Sequence, residues 1–131
     1  MAKHESLIAR LCEASEGSAE LSAEVMSELY GHEYAAVYSA DHGEYRVFLV
    51  ECRGGNEDTY TLVHSCLTTS LSAAWEETKA RGWMPCLDML DDGNGFEVIL
   101  WDADDIRALM TGKHEACTLC AALLAAERSN P

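Results

Sequence analysis

The chain has 131 residues, with 23 Asp plus Glu against 9 Lys plus Arg, and a formal charge of -14 at pH 7. That length makes a single domain over residues 1–131 that buries about two-thirds of its unfolded surface, and 48% hydrophobic residues supply the side chains for it. Proteins that hold nucleic acid displace counterions with Lys and Arg, so this charge excludes direct nucleic-acid binding as the main role.

The longest unbroken apolar run, Leu119 to Ala126, is far short of the roughly 20 residues that cross a bilayer. The opening Met-Ala-Lys-His-Glu-Ser alternates charge and lacks the apolar stretch of a secretory signal. The expectation is a cytoplasmic protein with no membrane contact. Its six cysteines are then expected as reduced thiols, without a disulfide.

Leu7, Ile8, Leu11 and Cys12 share one face at helical period, which predicts a first helix over 3–15, ended by Gly17-Ser18. Ser22 is placed to cap a second helix running to Tyr30 and stopped by Gly31. The period then falls to two. Tyr34 to Tyr38 and Tyr45 to Cys52 flank the turn Asp41-His42-Gly43, and Thr59 to Cys66 follows the turn cluster Arg53-Gly54-Gly55-Asn56, predicting a three-stranded meander. Leu71 to Arg81 reads as a third helix with Gly82 as its terminating glycine. Trp83 to Leu90 and Phe96 to Trp101 flank Asp-Gly and Asn-Gly, a strong hairpin signal. Lys113 to Arg128 closes the chain as an alanine-rich helix. The expected fold is α+β: an antiparallel sheet of about five strands sandwiched by about four helices, order ααβββαββα, with no internal repeat.

Four stretches, LIARLCEASEGSAELSAEVMSEL (7–29), TTSLSAAWEETKARGW (68–83), FEVILWD (96–102) and HEACTLCAALLAAE (114–127), resemble in order and spacing a group of small phage and prophage proteins with a phage ABA-sandwich domain. The resemblance covers most of the chain except residues 30–66. It implies a phage origin and helices on both faces of a sheet. It carries no reaction and no functional residues, because the shared phrases are structural. Residues 31–66 depart from the group in length and acidity.

The acids are unevenly placed. Between Arg10 and Arg46, and again between Arg81 and Arg107, no Lys or Arg occurs, yet 15 of the 23 acids fall there. Glu20, Glu24 and Glu28, spaced by four, line one face of the second helix, where like charges cost a few tenths of a kcal/mol per pair. A solvated, solubilising face explains this pattern, as does a surface offered to a basic partner. The candidate partner-binding residues are therefore Glu20, Glu24 and Glu28, with Asp91, Asp92, Asp102, Asp104 and Asp105 as a second patch.

His114, Cys117 and Cys120 have metal-ligand spacing, with Cys86 or His64 as a fourth donor, but thiols on an apolar helical stripe are more often buried core. His64 and Cys66 share a strand face as the nearest approach to a thiol-hydrolase pair, and are read as structural. Asp91-Asp92-Gly93-Asn94 lacks the closing glutamate of a calcium loop. Trp75, Trp83 and Trp101 with Lys79, Arg81 and Arg107 are the groups from which a nucleotide site would be built. The expectation is a non-enzymatic binding protein without cofactor or metal. Its expected role is to block a host defence or nucleic-acid-processing protein, of the anti-CRISPR or anti-restriction kind, by acidic nucleic-acid mimicry of a basic host surface. A self-assembling phage accessory protein, forming homo-oligomers, and a sponge for a signalling nucleotide are the alternatives.

Overall fold

A computed structural model describes residues 3–53, 57–63 and 66–129. The order is α1 (Lys3–Glu13), α2 (Ala19–Tyr30), β1 (Glu33–Ser39), β2 (Glu44–Arg53), β3 (Glu57–Leu62), α3 (Leu71–Ala80), β4 (Met84–Met89), β5 (Phe96–Asp102), β6 (Asp105–Gly112) and α4 (Glu115–Ser129). The α+β class stands, but the described strands form two three-stranded antiparallel sheets, β1-β2-β3 and β4-β5-β6, in place of one five-stranded sheet.

The extra strand is β6. It pairs with β5 from Asp102↔Asp105 to Phe96↔Gly112, with a bulge at Leu100/Trp101. Its turn holds Ala103 at φ 55, a left-handed conformation where glycine is the usual signal, so the sequence does not announce a hairpin there.

The starts of α2 and α3 are set by serines. α2 begins three residues earlier than expected because Ser18, in extended conformation, caps it by accepting from the Leu21 N–H at 3.1 Å. Ser22 is instead wholly buried inside the helix. Ser70 caps α3 through the Ala73 N–H, and Gly82 at φ 92 follows its end as the glycine spacing predicted. The first helix stops at Glu13 and the third strand at Leu62, where residues 66–69 turn toward α3.

The layering is the reverse of helices enclosing a sheet. α4 packs on β5 and β6 and also on α1, α2 and α3, while α2 packs on β1 and β2, so the helices lie between the two sheets. α4 is buried from Ala116 to Leu124, which explains why it is apolar on all sides. One core joins both halves, with Leu11, Val25, Val47, Ala74, Val98, Leu100, Leu119 and Leu123 buried together.

The element order α-β-β-β occurs twice, from α2 to β3 and from α3 to β6. Val47 and Val98, each fully buried, sit on the middle strands of the two sheets. The repeat lies in architecture, with little shared sequence beyond Tyr45-Arg46-Val47-Phe48-Leu49 against Phe96-Glu97-Val98-Ile99-Leu100, and so it escaped the linear reading. No helix among the described residues is long and apolar enough to cross a membrane.

Candidate protein-binding surface

The acidic residues singled out in sequence occupy three separate places. Glu20 is exposed near the start of α2. Glu24 receives a forked contact from Arg10 of α1, one arm at 2.9 Å, and Arg10, Glu24 and Glu28 line a shared recess with Tyr34. The face is therefore free of bases along the chain but not in space, because α1 lays Arg10 across it. The Arg10 guanidinium is held above its ordinary range, chiefly by that hydrogen bond.

Asp91 and Asp92 are exposed in the β4–β5 turn, where Asp92 accepts from the Asn94 N–H at 2.9 Å. Asp102, Asp104 and Asp105 are exposed at the β5–β6 turn. These turns lie at opposite ends of the seven-residue strand β5, roughly 20 Å apart at about 3.3 Å per residue. The single second patch expected from sequence is thus two clusters.

Several cations are already engaged. Arg46 bridges Glu44 at 2.8 Å, and Arg107 lies 3.4 Å from Asp102 and 3.9 Å from Asp105. Arg81 donates to Glu77 at 2.7 Å, to Glu127 and to the Leu29 carbonyl at 3.2 Å, with its charge 5.3 Å from the Tyr30 ring centre. Burial opposes the Arg81 charge, but the Glu127 and Glu77 carboxylates outweigh it and raise its pKa. This cluster ties α2, α3 and α4 together, so Arg81 is structural.

The expected nucleotide groups are only partly assembled. Trp83, Met84 and Trp101 surround a recess of about 460 Å³ with Lys79, Gly82 and Ala103, and the buried Trp83 Nε1 has no hydrogen-bond partner among the described residues. Arg81 and Arg107 face carboxylates, and Trp75 packs against the core.

The metal donors do not converge. Cys117 and Cys120 are wholly buried in α4, and Cys86 is exposed on β4. His114 accepts from the Cys117 N–H through Nδ1 at 3.4 Å, so it serves the start of the helix. Burial pushes the Cys117 thiol up to about 11 and raises Cys120 as well, which keeps both protonated at neutral pH. No metal-holding group of three His, Cys, Asp or Glu occurs among the described residues, and His64 lies outside them.

A groove of about 810 Å³ runs between α2, α3 and the inner face of sheet β1-β2-β3, lined by Met26, Tyr34, Leu49, Val63, Leu67 and Ala73 among others. At its rim Tyr30 donates to Glu77; burial first, and that carboxylate second, push the phenol up to about 12. Tyr30 is thus held neutral.

Sequence reasoning missed the outer face of sheet β4-β5-β6. Across it, Met84, Trp101 and Ile106 form one row and Cys86, Ile99 and Leu109 the next. Met84 is 66% exposed, Ile106 51% and Leu109 52%. The run Ala108-Leu109-Met110 is apolar without alternation and β5 is irregular opposite its start, so β6 is not legible in sequence, and without β6 the row has no third member. Comparisons with protein-family models, with curated proteins and with solved structures find no match.

Proposed function

We propose that this chain is a phage-encoded, non-enzymatic binding protein that occupies a basic surface of a host defence or nucleic-acid-processing protein with acidic surfaces of its own. The observation that carries this reading is the pairing pattern. Arg10, Arg46, Arg81 and Arg107 lie against carboxylates, while Glu20, Asp91, Asp92 and Asp104 project into solvent at the ends of elements. Such a surface attracts cations and repels phosphate, and it accelerates encounter with a basic groove. The phage origin rests on the resemblance of the four sequence stretches, and the host cytoplasm is the compartment that origin implies.

Charge reversal tests the reading. Glu20→Lys/Glu24→Lys/Glu28→Lys and Asp102→Lys/Asp104→Lys/Asp105→Lys are compared with the parent protein for retention of host proteins on immobilised chain. Loss of one retained nucleic-acid-processing protein, with the fold intact by circular dichroism, is the expected result; equal retention by both variants contradicts it.

The recess formed by Lys79, Trp83 and Trp101 favours a second reading, a nucleotide sponge. A nucleotide panel that raises the melting temperature of the parent but not of Lys79→Ala supports it, and no shift with any nucleotide sinks it.

A further inference from the structure

The outer face of sheet β4-β5-β6 is an apolar platform with an acidic border. In an antiparallel sheet directly paired residues point to the same side, with Cβ atoms about 5 Å apart. Pro85, Leu100 and Ala108 point inward with Leu87, Val98 and Met110, and Leu100 and Val98 are fully buried against the helices. The alternate residues Met84, Trp101, Ile106, Cys86, Ile99 and Leu109 therefore form one contiguous outward layer across all three strands. The third row, Asp88, Glu97 and Thr111, is polar, and Asp102, Asp104 and Asp105 close the opposite end. The nearby cations include Arg107, already against Asp102 and Asp105, Lys79 in the recess beside Met84 and Trp101, and Lys113 just past the end of β6.

Exposed apolar patches of this continuity mark interaction sites, since a solvated antiparallel sheet ordinarily turns polar residues outward. Six side chains fall short of the ~800 Å² per partner that a stable complex needs, so any interface must extend over the border. That border decides the occupant. A second copy would bring Asp88, Glu97, Asp102, Asp104 and Asp105 against their own equivalents with few cations to offset them. A partner with an apolar centre ringed by Lys and Arg satisfies both the platform and its border.

We propose that the outer face of sheet β4-β5-β6 is the docking surface of this chain, and that its occupant is a protein surface with an apolar centre bordered by Lys and Arg. The proposal rests on the acidic-binding reading and places it on one face. Met84, Ile106 and Leu109 supply the apolar anchor, and the carboxylates at both ends of β5 set orientation and encounter rate.

The probe is p-benzoylphenylalanine placed by Leu109→p-benzoylphenylalanine, activated in cells of the natural host, with the same probe at His42 in the β1–β2 turn as control. The expected result is a crosslink at position 109, absent at 42, to a protein whose joined peptide is apolar with flanking Lys or Arg. Its yield should fall at least about tenfold in Ile106→Asp and again in Asp102→Lys/Asp104→Lys/Asp105→Lys. Ile106 is half-exposed, so the aspartate variant should lose only a few degrees of melting temperature and stay folded at the temperature of the crosslink. Crosslinks only to other copies of the chain, no crosslink, or an acidic joined peptide overturns the proposal. Loss on charge reversal with no loss in Ile106→Asp overturns the docking face and leaves the acidic-binding reading standing. Loss in Ile106→Asp with no effect of charge reversal removes that reading and, with it, the basic border of the partner.

Discussion

Thr68 holds the two halves of the chain together through a satisfied polar knot. Its hydroxyl donates to the Ser18 carbonyl at 2.9 Å and accepts from the Ser18 N–H at 3.1 Å, while its own N–H donates to the Ser22 Oγ at 3.1 Å. Because the Thr68 proton goes to Ser18, the 2.6 Å contact must be donated by the Ser22 hydroxyl. Both side chains are fully buried, so Thr68→Val strands two partners and should cost about 2–4 kcal/mol in urea denaturation. Ser22→Ala should cost less than that, and the double variant less than the sum. Gly17 belongs to the same contact, since a Cβ there would meet the Thr68 carbonyl at 1.8 Å. Ser22 has the residue type of a cap, but it is buried against Thr68, 46 residues away in sequence, and Ser18 caps the helix.

Titration provides a second test at this scale. Burial raises Cys117 from 9.0 to about 11 in the folded chain. A raised folded pKa gives stability that is complete below pH 9 and lost as pH rises toward 11, because the unfolded thiol ionises first. Tyr30, raised from 10.0 to about 12, extends the loss upward. The urea midpoint should therefore hold to about pH 8.5 and then fall, and less so in Cys117→Ala. A midpoint independent of alkaline pH would contradict the burial assigned to these groups.

Among the elements, α4 and β6 show what periodicity can and cannot reveal. The helical spacing of Ala116, Leu119, Cys120, Leu123 and Leu124 announces α4. Its intervening alanines, also buried, were legible only as good helix formers, although their small size is what lets α1, α2 and α3 approach. Leu123→Ala should destabilise by about 2–5 kcal/mol through the cavity it leaves, and Ala121→Leu by about 1–3 kcal/mol through overpacking. Thermal and urea unfolding measure both. For β6 the missing signal is Ala103 at φ 55. Ala103→Gly relieves that conformation and should raise stability by about 0.5–1 kcal/mol despite the added chain entropy. A destabilised glycine variant would contradict the turn geometry.

For the molecule as a whole, the linear charge map was legible and its spatial meaning was not. Glu20 stands exposed as the spacing implied, but Arg10 crosses to Glu24, and β5 carries Asp91 and Asp92 away from Asp102, Asp104 and Asp105. The α+β class and the four helices of the described residues followed from periodicity; two sheets enclosing the helices did not, because layer order depends on which faces meet. The same placement turns a diffuse acidity into an apolar platform with acidic ends. The direct test is the affinity for the captured partner measured between about 50 mM and about 500 mM salt, where screening shrinks to a few Å. Acidic docking predicts a fall of at least about tenfold across that range, with a shallower slope in Asp102→Lys/Asp104→Lys/Asp105→Lys. An affinity unchanged by salt, or an equal slope in the variant, would contradict it.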